Sequence, residues 1–180
     1  LRKLGDKKPD EDTLLKIIDN VPSSLSYQCE YGLLPIQTAA LYKESVHYVP
    51  LLAKEGVKHN VGGDDARGGL LVGDDDYVLK NLACMGYKND DLLYLDVMKK
   101  LRESKLLLRE DIQDQDLLFW ACDPDAPMKV EYLADWCPEG LKTHQFDGLP
   151  VIHAIIEFGD IECFSTFLET ALRYHPNDLG

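Results

Sequence analysis

The chain has no apolar run approaching the roughly 20 residues that a membrane-spanning helix needs, so no membrane insertion is expected. Basic residues are scarce: 19 Lys and Arg stand against 32 Asp and Glu, for a net charge of −13. A nucleic acid would be repelled by that field, which argues against general DNA or RNA binding. Cysteine is thin and unpaired in pattern. Five residues (Cys29, Cys84, Cys122, Cys137 and Cys163) are an odd number, and no C-x-x-C motif occurs. A disulfide framework or a cysteine zinc site needs clustered cysteines. Scattered thiols predict a reduced, half-buried set in an intracellular protein, with the cytoplasm as the expected compartment.

The sequence also lacks the signatures of catalysis. Five histidines (His47, His59, His144, His153 and His175) are present, but none belongs to an H-E-x-x-H motif or a recognisable nucleophile turn. The glycine-rich stretch from Gly62 to Gly69 has no G-x-x-x-x-G-K-[ST] order, which excludes a phosphate loop and marks a loop or hairpin instead. Asp74-Asp75-Asp76 lacks the order of a calcium loop, so capping and solvation is the expected role. The chain is read as not an enzyme, with no cofactor and no metal.

What is present is repetition. Tyr31-Gly32-Leu33-Leu34-Pro35-Ile36-Gln37-Thr38-Ala39-Ala40 is echoed by Asp147-Gly148-Leu149-Pro150-Val151-Ile152-His153-Ala154-Ile155-Ile156. Pro22-Ser23-Ser24-Leu25 returns as Pro138-Glu139-Gly140-Leu141 and as Pro176-Asn177-Asp178-Leu179, the second gap being close to one third of the first. A fixed period in this range predicts stacked helical repeats, in which each unit buries its apolar faces only against neighbours. Apolar residues make up 45% of the 180, enough to build such a core.

The expected fold is all-α, an α-solenoid of helix-turn-helix repeats within a single domain, 1–180. It comprises a partial repeat over 1–28 and four more over 29–66, 67–104, 105–141 and 142–180. In the partial repeat, Leu14, Leu15, Ile17 and Ile18 form an apolar face, Asp10 or Asp12 caps the helix and Pro22 ends it. In the second, Pro35 opens an inner helix carrying Ile36, Ala39 and Ala40. Its outer helix carries Val46, Val49, Leu52 and Ala53, with Gly56 as the stop and Pro50 implying a late start or a kink. The third has an inner stripe of Val78, Leu79, Leu82 and Ala83. Its outer helix is capped by Asp91 and carries Tyr94, Val97, Met98 and Leu101, with Lys99, Lys100 and Arg102 suiting the negative pole. The fourth pairs Leu117, Leu118, Trp120, Ala121 and Cys122 with Val130, Leu133, Ala134 and Cys137. The last pairs Ile152, Ala154, Ile155 and Ile156 with Phe164, Phe167, Leu168 and Ala171, with Asp160 as its cap. The chain begins mid-pattern without Met, and Pro176 to Gly180 repeats the phrase that opens each new unit. Both features predict a longer array.

At Gly32-Leu33-Leu34-Pro35-Ile36-Gln37-Thr38-Ala39-Ala40 the chain resembles the ankyrin repeat, whose inner helix opens G-x-T-P-L-H-x-A-A. Val49-Pro50-Leu51-Leu52-Ala53-Lys54-Glu55-Gly56 is similar to the ankyrin V-x-x-L-L-x-x-G ending. Leu133 to Leu141 and Ala171 to Pro176 look like the divergent ankyrin-like repeats abundant in diatoms and related algae. The proline opening is lost in the middle repeats, and Gln37 stands where the family has a histidine that ties neighbouring units. An amide can make such bonds, since it both donates and accepts.

The resemblance implies a non-catalytic scaffold or adaptor that binds another protein through its turns and concave inner-helix face. The turn residues so implied are Lys58, His59, Asn60, Asp64, Asp65 and Arg67, then Gln113, Asp114 and Gln115, then His144, Gln145 and Phe146. From the inner helices come Thr38, Leu41, Tyr42, Asn81 and Phe119. Phe146 is the favoured anchor, as an aromatic in a turn. Six carboxylates between Glu110 and Met128, with no Lys or Arg among them, read either as a solvated face or as a docking surface for a basic partner. The alternatives are a fixed structural subunit of a large assembly and, more remotely, an enzyme with an unrecognised site.

Overall fold

Apolar residues at helical spacing run through most of the chain, and helices are what they form. The computed structural model describes residues 10–62, 67–69, 71, 77–86, 90–122, 127–142 and 161–177. All regular structure among them is helical. The chain divides into two compact units, Leu1–Gly73 and Asp74–Gly180.

The first unit contains α1 (Glu11–Asn20), a 3-10 turn (Pro22–Ser26), α2 (Pro35–Leu41), a second 3-10 turn (Val46–Tyr48) and α3 (Val49–Lys58). Asp10 caps α1, its carboxylate accepting from the Thr13 backbone N–H at 2.7 Å. That bond holds its pKa below the ordinary aspartate value. Leu14 and Ile18 are buried, but Ile17 is 40% exposed, so the apolar face of α1 is narrower than expected. Pro35 sits in the first turn of α2, and Ile36, Ala39 and Ala40 are buried. The alanines let α2 pack closely on α3. Pro50 falls in the first turn of α3, where its missing N–H costs no bond; the preceding residues form the 3-10 turn instead of a kinked helix.

Gly56 does not stop α3, which continues to Lys58. A Cβ at Gly56 would lie 2.1 Å from the Gly69 backbone nitrogen. Its role is therefore to admit the Gly68–Gly69 turn against the helix. The left-handed φ values of +65° and +61° at Gly68 and Gly69 shape that turn, and a Cβ at Gly68 would meet the Ala53 carbonyl oxygen at 2.6 Å.

The second unit contains α4 (Tyr77–Cys84), α5 (Asp91–Glu103), α6 (Arg109–Asp114), α7 (Leu117–Trp120), α8 (Pro127–Trp136), a 3-10 turn (Pro138–Leu141) and α9 (Ile161–Tyr174). Here α4 packs on α5 and on α7, while α8 packs on α5, α7 and α9. Two helix pairs, α4–α5 and α7–α8, thus pack together, α4 on α7 and α5 on α8. The expected stripes are buried: Val78, Leu79, Leu82 and Ala83 on α4; Tyr94, Val97, Met98 and Leu101 on α5; Val130, Leu133 and Ala134 on α8, with Cys137 beyond it. On α9, Phe167 and Ala171 are buried and Phe164 and Leu168 half-buried. Between α5 and α8, Arg102 lies over the Trp136 ring at 4.1 Å and over Tyr132 at 5.6 Å. Arg109 bonds the Trp136 carbonyl and pairs with Glu139, while His175 reaches the Pro138 carbonyl at 2.8 Å.

Candidate functional site

Of the residues implied as partner contacts, Tyr42, Lys58, Asn60 and Asp114 are exposed. Thr38, Leu41, His59, Arg67, Asn81, Gln113 and Phe119 are half-buried. Gln115 is buried, because the chain turns inward there from α6 to α7, and this removes it from any docking face. Asp64, Asp65, His144, Gln145 and Phe146 lie outside the described residues, as do the inner-helix residues of the last repeat and the Asp160 cap. Within the first unit, Tyr42 (54% exposed) follows α2, and Tyr27 and Tyr31, both more exposed still, lie between the first 3-10 turn and α2. Neither Tyr27 nor Tyr31 carries a helical period, so pattern reading had no signal for them.

Among the described residues Gln37 caps its own helix, its Oε1 accepting from the Leu34 N–H at 2.8 Å. Asp111 does the same for α6, its Oδ2 accepting from the Leu108 N–H at 2.7 Å. Asp111 is buried, so the carboxylate-rich stretch is not one solvated face. Asp116 is half-buried with φ of 55°, and burial pushes its pKa up.

Asp91 does not stand at the cap position either. It is the first residue of α5, after Asp90, and is buried. Its carboxylate lies 3.3 Å from the ammonium of Lys129 on α8, which is 0% exposed. Lys129 also donates to the Met85 carbonyl and sits 5.9 Å from the centre of the Tyr94 ring. A fully buried lysine in the seam between α5 and α8 is tolerable only with such partners. The pair joins α5 to α8.

In the first unit, polar groups gather where α1 ends and α3 ends. Lys58 Nζ donates to Asp19 Oδ1 at 2.7 Å and to Glu55 Oε2 at 2.8 Å. These bonds raise the Lys58 pKa and lower that of Asp19. His59 Nε2 lies 3.7 and 3.5 Å from the same two oxygens. One donor atom each from Asp19, Glu55 and His59 fall within 4.8 Å of one another. The Glu55–His59 spacing of one helical turn was visible in the sequence; Asp19 joins them only through the packing of the fold.

The cysteines divide. Cys29 is exposed, Cys84 and Cys122 half-buried and Cys137 buried. Exposure of Cys29 departs from the expected half-buried thiol. Hydrogen bonds from the Tyr31 and Leu33 backbone lower its pKa, whereas burial raises that of Cys137. Among the described residues no helix is long and apolar enough to cross a membrane.

No protein-family model, curated protein or solved structure matches this chain.

Proposed function

We propose that the chain is a non-catalytic scaffold or adaptor built of ankyrin-like helix pairs, which binds another protein through inner-helix ends and turns. The observation that carries this reading is the packing of the second unit, where α4–α5 packs on α7–α8. Paired short helices that lean on the next pair form quasi-one-dimensional stacks, whose exposed flanks bind proteins. The exposed Tyr42 and Asn60 supply recognition groups in the first unit, and aromatic anchors dominate binding energy at interfaces. With a net charge of −13, the partner that fits is a protein with a basic surface.

A photo-crosslinking residue placed at position 42 or 60 tests this in the native cell. The reading expects a discrete crosslinked protein whose yield falls as salt rises. A crosslinker at position 92, exposed on outer helix α5, should stay silent. Equal capture at position 92, or none at 42 and 60, would end the reading. Capture at 42 and 60 that ignores salt would favour a permanent structural subunit instead.

A further inference from the structure

The cluster at the ends of α1 and α3 has a geometry that the scaffold role does not use. His59 Nε2 is buried and makes no hydrogen bond among the described residues. It faces the carboxylate oxygens of Glu55 and Asp19 at 3.5 and 3.7 Å. The ring is anchored at its base, because the His59 backbone N–H donates to the Glu55 carbonyl at 3.0 Å. Both oxygens already hold a cation, the Lys58 ammonium, at 2.7 and 2.8 Å.

We propose that Asp19, Glu55 and His59 form a binding site for a divalent transition metal ion of the zinc class, with Lys58 as its built-in competitor. Zinc bonds to nitrogen and oxygen donors measure about 2.0–2.2 Å, so the donors of a tetrahedral site stand about 3.4 Å apart. The two histidine-to-carboxylate distances match that edge. One imidazole with two carboxylates suits zinc and its neighbours, whereas magnesium and calcium take all-oxygen sets. The fourth position is open to water or to a donor from a partner. Lys58 is half exposed, and its flexible stem lets the ammonium swing into solvent without losing its proton. The ion takes over the two oxygens that the ammonium releases and gains Nε2, which the ammonium leaves unused. A bound ion ties the end of α1 to the end of α3, and binding to the folded state alone raises its stability.

The test uses the full chain, Zn²⁺ titrated by calorimetry, and Co²⁺ as a spectroscopic probe. Lys58→Met should bind Zn²⁺ at least about tenfold more tightly than the unaltered chain, a gain that misfolding cannot mimic. His59→Gln removes a direct ligand and should weaken binding by at least about 100-fold, beyond the roughly 10–100-fold that losing a ligand's hydrogen-bonding partner costs. The Co²⁺ complex should show the visible bands of a tetrahedral nitrogen–oxygen site without a thiolate charge-transfer band. Affinity unchanged in His59→Gln, no gain in Lys58→Met, or a thiolate band would each overturn the proposal.

Discussion

Replacing Lys129 by leucine, alone and together with Asp91→Leu, is the sharpest perturbation that the second unit offers. The ammonium is 0% exposed and stands 3.3 Å from the Asp91 carboxylate, which is 5% exposed. Removing one member of a buried ion pair strands the other charge away from water, at a cost of about 3–5 kcal/mol. Replacing both by apolar residues of similar volume removes the stranded charge, and such swaps are often neutral or stabilising. Lys129→Leu is therefore expected to lose about 3–5 kcal/mol in urea unfolding, and Asp91→Leu a comparable amount. The double variant should recover most of either loss, leaving a coupling energy of about 2 kcal/mol or more. The cycle isolates the coupling of these two groups whatever else each one touches. Additive losses with no coupling would refute the argument that the pair holds α5 against α8. So would a Lys129→Leu cost below about 0.5 kcal/mol, the range of an ordinary surface change.

Other outcomes follow from the same packing. Leu52 is 3% exposed on α3, so Leu52→Ala should cost about 2–5 kcal/mol in denaturant unfolding. Gly56→Ala should destabilise by about 1–3 kcal/mol, because the added methyl meets the Gly69 backbone at 2.1 Å and backbone cannot step aside cheaply. Timed alkylation read by mass spectrometry should label Cys29 well before Cys137, since one thiol is exposed with a lowered pKa and the other buried with a raised one. Asp10 has its folded pKa depressed by the Thr13 bond. Its contribution to stability is full above the ordinary aspartate pKa of about 3.9 and is lost as pH falls through the lower folded value. Asp10→Asn should keep the cap and lose that segment of the pH profile, measured by thermal unfolding.

The buried faces of α2, α3, α4, α5 and α8 were legible because apolar residues at helical spacing leave few other solutions. The pairs Ala39-Ala40 and Leu82-Ala83 announced themselves this way. What escaped was tertiary. Lys129 reads as polar, so periodicity skips it, and Asp91 before an apolar run is the usual mark of a cap. Only the approach of α8 to α5 turns the two into a buried pair. Gly56 near a helix end reads as a stop, and its actual task depends on where Gly69 folds back. In the sequence, Asp111 belongs to a carboxylate-rich stretch that suits a solvated face or a docking surface, and Gln37 stands at the position of a tie between repeats. Both cap their own helices, a role set by the extended backbone of Leu108 and Leu34 before them. The metal cluster needs Asp19 on α1, which no spacing on α3 discloses.

The central proposal is that a partner binds at inner-helix ends and turns, around Tyr42 and Asn60. Hydrogen exchange of the full chain, with and without the protein captured at positions 42 and 60, tests it most directly. Slowed exchange confined to the backbone around Thr38–Tyr42 and Asn60, with α5 and α8 unchanged, is the predicted result. Slowing concentrated on α5 and α8, or none anywhere in the chain, would contradict it.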